Sequence, residues 1–159
     1  MSRIWLFSDG SVNTQTHVGF GAYVIVHEDA PFDAHSALHV KVKAFTQTSS
    51  TKLELQTLLW ALEEVKVFGK PIIIHTDSQN IIGLETRRER FERNGYETKQ
   101  KRVHEHAKLY QAFYAMMDSV ECSLVKVKGH KLTCKKDEVD RYFTLVDRAA
   151  REALRQSGL

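Results

Sequence analysis

The segment from Gly69 to Asp77 constrains this chain more than any other. Gly69-Lys70-Pro71 stops whatever helix precedes it, and Ile72-Ile73-Ile74 follows at once and runs on to Thr76-Asp77. A short unbroken run of β-branched residues behind two breakers reads as a strand covered on both faces. Strands of that kind belong to parallel sheets, which need helices packed against them. The fold class is thereby narrowed to an α/β arrangement.

The remaining elements are placed around that strand. Ile4–Ser8 reads as a strand closed by Asp9, with a polar stretch after it to His17. Val18–His27 is a second strand, and Pro31 with two Asp residues marks the turn beyond it. Leu38–Lys43 alternates with period two, the pattern of a third strand with one wet face. Thr48 and Ser49-Ser50-Thr51 announce a helix, carried by Leu55, Leu58, Leu62 and Val65 at helical spacing. Past the triple-Ile strand, Ser78 caps a short helix through Leu84. A helix is predicted from about His104 to Met117, a fifth strand over Leu124–Lys128 and a last helix from about Asp137 to Arg155. The order β-β-β-α-β-α-α-β-α predicts a five-stranded mixed sheet, an antiparallel meander continued by parallel strands, with helices packed on it. The length, 159 residues, fits one domain spanning 1–159.

Composition excludes several classes. No apolar run approaches the roughly 20 residues of a membrane span, and the apolar run at the N-terminus is too short for a signal peptide. Cys122 and Cys134 belong to no CxxC or Cys/His pattern, so a zinc site and a disulfide framework are not expected. A soluble, cytoplasmic protein without a membrane partner is expected, and a monomer. The net charge of +3 permits a polyanionic partner without demanding one. That charge is concentrated between Arg87 and Lys108, where eight Lys and Arg face four Glu.

Four acids fall where these elements meet: Asp9 at the end of the first strand, Glu54 early in the first long helix, Asp77 at the end of the triple-Ile strand and Asp147 on the last helix. If strands one and four are neighbours, Asp9 and Asp77 lie together at one end of the sheet. Clustered carboxylates repel and are costly to desolvate, and a cation relieves both. All-oxygen ligands suit Mg²⁺ or Mn²⁺, and two such ions about 3.5–4 Å apart make a phosphodiester hydrolysis site. Each acid also has an ordinary reading. Asp9-Gly10-Ser11 is a turn string, Thr51-x-x-Glu54 a capping box, and Asp77 a cap before a short helix. Asp147 is a helix acid, with Asp140 on nearly the same face.

The strings around these acids resemble one family. Phe7-Ser8-Asp9-Gly10-Ser11, Lys52-Leu53-Glu54-Leu55, His75-Thr76-Asp77-Ser78-Gln79 and Val146-Asp147-Arg148-Ala149-Ala150-Arg151-Glu152-Ala153 look like the four blocks of the type-one ribonuclease H family, in order. Val127-Lys128-Gly129-His130 is similar to its V-K-G-H segment. The resemblance implies the ribonuclease H fold and a two-metal endonuclease that cuts the RNA strand of an RNA–DNA hybrid, leaving 5′-phosphate and 3′-hydroxyl ends. It implies that Asp9 bridges two Mg²⁺ or Mn²⁺ ions, that Glu54 and Asp77 serve the first and Asp147 the second, and that His130 is a loop histidine assisting proton transfer or product release. It puts Ser49, Ser50 and Gln79 at substrate-contacting positions, with Ser11 and Lys128 beside them. It likens the basic segment, with Arg87, Arg88, Lys99, Lys101 and Arg102, to a protrusion that grips the DNA strand. Two departures stand out: Val12–His17 replaces the family's Gly- and Pro-rich turn, and Phe143 stands where an Asn is frequent. A DNA junction or transposase-like nuclease of the same fold, and a non-cutting nucleic-acid-binding module, are the competing readings.

Overall fold

The computed structural model describes residues 2–29, 39–128 and 138–158. Five strands, β1 (Ile4–Asn13), β2 (Val18–His27), β3 (Lys41–Phe45), β4 (Ile72–Thr76) and β5 (Cys122–Lys126), form one sheet in the order β3-β2-β1-β4-β5. β1, β2 and β3 pair antiparallel, and β4 pairs parallel with both β1 and β5. The helices are α1 (Ser50–Val65), α2 (Gln79–Ile82), α3 (Leu84–Arg93), α4 (Ala107–Ser119) and α5 (Glu138–Gln156). The mixed sheet is the one the strand patterns call for, and the triple-Ile strand sits inside it with parallel partners on both sides.

Strand alternation divides the core into two layers. Ile4 and Leu6 of β1, with Ile72 and Ile74 of β4, face Leu55, Leu58 and Leu62 of α1 and Tyr110 and Phe113 of α4. Phe7 of β1, with Ala22 and Val24 of β2, faces Tyr142, Val146 and Ala150 of α5. Along β1, Asp9 continues the Trp5 and Phe7 series and so is directed to the α5 side. On α5 the buried residues of this layer are Tyr142, Val146 and Ala150, and Tyr142 is its largest buried side chain.

Several boundaries depart from the sequence reading; β3, expected over Leu38–Lys43, pairs over Lys41–Phe45. β1 does not stop at Asp9 but runs to Asn13, because β2 pairs with it residue for residue out to Asn13↔Val18. Hydrogen bonding to a neighbour sustains a strand where side-chain pattern gives no signal. The hairpin beyond it is closed by Asn13, whose Oδ1 accepts from the amides of Gln15 (2.8 Å) and Thr16 (3.2 Å). β5 lies two residues earlier than the alternation suggests, and α3 is an additional helix inside the basic segment. Ser49, not Thr51, caps α1: its hydroxyl accepts from the Lys52 amide at 3.3 Å, which leaves Glu54 without a capping role. Ser78 caps α2 in the same manner, so Asp77 is not a cap either. Burial pushes the Cys122 thiol up to about 11, in keeping with an idle cysteine, and Cys134 lies outside the described residues. Among the described residues no helix is long and apolar enough to cross a membrane.

Helix α1 lies against the sheet over glycine. A Cβ at Gly21 would stand 2.8 Å from Thr57 Cβ, and one at Gly10 would stand 2.9 Å from Leu53 Cγ. The absence of side chains there lets the first turns of α1 come close to β1 and β2. Gly21→Ala is therefore expected to cost about 1–3 kcal/mol of stability through overpacking, measured by urea denaturation. A neutral result would show that α1 can shift outward without loss.

Candidate active site

The register of β1 against β4 does the first part of the assembly. The parallel pairs run from Ile4↔Ile72 to Phe7↔His75. Two residues further on, Asp9 stands level with Asp77, just past the end of the β1–β4 ladder. β4 has ended there while β1 continues on its β2 side. Asp77 is exposed and Asp9 half-buried. The remaining two acids arrive from the helical layers, Glu54 from the second turn of α1 and Asp147 from the middle of α5.

The electrostatics link the four into one set. The Asp9 carboxyl is pushed up to about 8, first by burial, then by the Asp77 charge and by a hydrogen bond shared with Asp147; the Gly10 amide works in the opposite direction. Glu54 is raised as well, chiefly by burial with a contribution from Asp77, and the Ser78 hydroxyl opposes this by donating to its carboxylate. Asp140, buried in the first turn of α5, is not among the groups that shift Asp9. Asp147 carries one cationic neighbour on its own helix, Arg151, whose Nε lies 3.1 Å from its Oδ1. Sequence reading passed over both Ser78 as a hydrogen-bond donor and Arg151 as a partner. The second was legible, because residues four apart on a helix face each other.

The donor set consists of carboxylate oxygens, with a hydroxyl behind one of them, which is ligand chemistry for Mg²⁺ or Mn²⁺ rather than for zinc. An Asp held near 8 by burial and like charge is a site short of positive charge, so a divalent cation fits it. As the side chains stand, no group of three or more His, Cys, Asp or Glu among the described residues is arranged to hold a metal ion.

The polar positions singled out in the sequence sit on or beside the elements that carry the acids. Ser49 and Ser50 are exposed at the start of α1, Ser11 is half-buried on β1, and Gln79 is exposed at the start of α2, where the Lys126 ammonium donates to its Oε1. Lys128 is exposed after β5. His130 lies outside the described residues.

The basic segment splits into two halves. Arg87 donates to the Asn80 carbonyl (2.6 Å) and Oδ1 (2.9 Å), and Arg88 grips Asp118 of α4 with two bonds of 2.7 Å. Both arginines fasten α3 to its neighbours. Lys99, Lys101 and Arg102 are instead exposed on a turn closed by the Thr98 amide to the Arg102 carbonyl (2.7 Å). Tyr96 is 8% exposed and stacked on Phe91, a packing role.

Comparison with known proteins bears on the family and the fold. The RNase H family matches residues 1–155 of the chain. A ribonuclease H of Treponema pallidum subsp. pallidum is 27% identical, with 98% of this chain and 93% of that protein covered. Among solved structures, the RNase H domain of prototype foamy virus is similar in fold at a TM-score of 0.77 and 14% identity, covering 96% of this chain and 94% of that one. A type 1 RNase H that carries the type 2 active-site motif has a TM-score of 0.68 at 17% identity, covering 96% and 74%. The foamy viral protease–reverse transcriptase in complex with an RNA/DNA hybrid also has a TM-score of 0.68, at 11% identity, with 95% of this chain and 19% of that one covered.

The raised Asp9 carboxyl has a consequence for stability. Its folded value lies above its unfolded one, so the proton favours the fold. That contribution is fully present below about 4 and is lost as pH rises through about 8. In EDTA, Asp9→Asn is expected to melt higher than the parent protein at pH 8–9, by about 2–4 °C for each kcal/mol of burial cost and repulsion removed, and the gap should close by pH 4. A lower melting temperature for the Asn variant at pH 8–9 would contradict the strained-carboxylate account.

Proposed function

The chain belongs to the RNase H family, a family of nucleases, and on that premise we propose that it hydrolyses the RNA strand of RNA–DNA hybrids with two divalent cations, giving 5′-phosphate and 3′-hydroxyl ends. The observation that carries this reading is the linked set of Asp9, Glu54, Asp77 and Asp147, brought from two strands and two helices to one end of the sheet. Burying like charges side by side lowers stability, and a site that does so repays the cost through a ligand.

In this reading Asp9, Glu54, Asp77 and Asp147 hold Mg²⁺ or Mn²⁺. Such ions, once bound, would lower the pKa of a water and offset charge on the leaving oxygen. Hydrolysis would join the water oxygen to phosphorus as the bond from phosphorus to the 3′ oxygen breaks, with the 3′ oxygen taking up a proton in place of the one that the water gives up. Ser78 fixes one Glu54 oxygen by hydrogen bonding. Ser11, Ser49, Ser50 and Gln79 line the approach to the acids with hydroxyl and amide groups suited to 2′-hydroxyls and phosphates. The hold that Lys126 has on Gln79 limits the rotamers of that amide. Lys99, Lys101 and Arg102 pair with backbone phosphates of the DNA strand, with Lys128 nearer the acids. Arg87 and Arg88 contribute by fixing α3 rather than by direct contact. His130 is assigned to proton transfer on the resemblance of its segment alone; an ordinary imidazole suits that task near neutral pH.

Cleavage of an end-labelled hybrid in Mg²⁺ and its loss in EDTA test the reading. Asp9→Asn and Asp77→Asn should each lose more than about 100-fold in rate, since removing even an outer partner of a metal ligand typically costs 10–100-fold. Preference for branched DNA or double-stranded RNA over hybrid would point to another nuclease of this fold. Equal hybrid binding in EDTA and Mg²⁺, with no cutting, would point to a binding module.

Replacing Lys99, Lys101 and Arg102 together with Ala should weaken hybrid binding and flatten its salt dependence, by about 0.9 in the log–log slope for each phosphate that is no longer neutralised. An unchanged slope would remove this turn from the substrate path.

A further inference from the structure

The Asp147 carboxylate stands between two groups of opposite effect. On one side lies the Asp9 carboxyl, itself level with Asp77 past the end of the β1–β4 ladder. On the other, the Arg151 guanidinium lies 3.1 Å from Oδ1. An Asp–Arg pair at i,i+4 on a free helix face is common and weak. This one differs in where its acid sits: the Asp147 side chain is 30% exposed and directly follows Val146, which packs against Phe7 of β1, the strand that carries Asp9. The guanidinium both lowers the repulsion within the acid set and occupies an oxygen that a hard cation needs.

We propose that Arg151 is the resident counter-ion of the site: it neutralises Asp147 while no metal is bound and must release that carboxylate before a divalent cation can take it. The proposal rests on the reading of Asp147 as a metal ligand and goes beyond it, because it assigns Arg151 control over how readily the ion enters.

Two features favour release over a permanent pair. The Arg151 side chain is 63% exposed, so the freed guanidinium returns to water with little desolvation cost. It borders an open groove of about 640 Å³ shared with Arg148, Glu152 and Arg155, which gives it room to swing away from Asp147. The contest for the carboxylate is also unequal. Arg151 contacts one acid, whereas a divalent ion draws on several at once and carries twice the charge.

The test is calorimetric titration of Mg²⁺ alone, without nucleic acid, into the parent protein, Arg151→Gln, Arg151→Lys and Asp147→Asn. Arg151→Gln should bind Mg²⁺ about two- to five-fold more tightly, the range an exposed ion pair spans, and should melt lower in EDTA. Arg151→Lys should stay near the parent, since an ammonium can still pair with Asp147. Adding Arg151→Gln to Asp147→Asn should change nothing further, because the partner is gone. If Asp147→Asn weakens Mg²⁺ binding while Arg151→Gln leaves it unchanged or weaker, the counter-ion role is overturned and the metal-ligand reading stands. If Asp147→Asn binds Mg²⁺ as well as the parent does, Asp147 is not a ligand, and both readings fall.

Discussion

Asp9 and Asp77 stand together because two parallel strands, paired from Ile4↔Ile72 to Phe7↔His75, end at different places. β4 stops at Thr76, and β1 runs on to Asn13 because β2 keeps pairing with it. The extra length of β1 carries Asp9 beyond the β1–β4 ladder, level with the first residue after β4. That offset is held by backbone hydrogen bonds and by two packed layers, so it is hard to relax. A one-residue slip of β1 would turn Asp9 to the α1 side and take Phe7 away from α5.

The cost of this arrangement is visible in the acids themselves. A carboxyl pushed up to about 8 gives up stability at neutral pH for a high local negative potential. The surroundings offset part of that. The Ser78 hydroxyl serves Glu54, the Gly10 amide serves Asp9, and Arg151 lies against Asp147. None of these removes the shortage of positive charge at the centre. What remains matches the hard, multiply charged cation that phosphodiester chemistry uses. Stability and reactivity are thus two readings of the same repulsion.

The basic segment shows why counting charges overstates a binding surface. Its cations differ in what they do once folded. Arg87 and Arg88 are spent on Asn80, Gly83, Glu92 and Asp118, and the guanidiniums of Arg87 and Arg90 lie near the Phe91 ring. Lys99, Lys101 and Arg102 are left on an exposed turn whose own backbone is closed by hydrogen bonds. A turn of that kind presents charge without losing much side-chain freedom. Phe91 stacks on both Tyr96 and Tyr110, which ties the chain before the turn to α4.

Much of this was written in the order of residues. Ile72-Ile73-Ile74 behind Gly69 and Pro71 required a covered parallel strand. The 3.6-residue spacing of Leu55, Leu58, Leu62 and Val65 required a helix, and the four acids were marked by their places relative to those elements. These are local signals, set by sterics and hydrophobic period, and they survive without knowledge of neighbours. Other features had no local signal. The extension of β1 through Asp9-Gly10-Ser11 depends on a partner strand, the choice of Ser49 over Thr51 as cap depends on where α1 meets the sheet, and the separation of Arg88 from Lys99 depends on Asp118 thirty residues away. Above all, four carboxylates spread over most of the chain exert their mutual repulsion only once strand register and helix packing have brought them within reach, because charge interaction falls with distance in space and takes no account of distance along the chain.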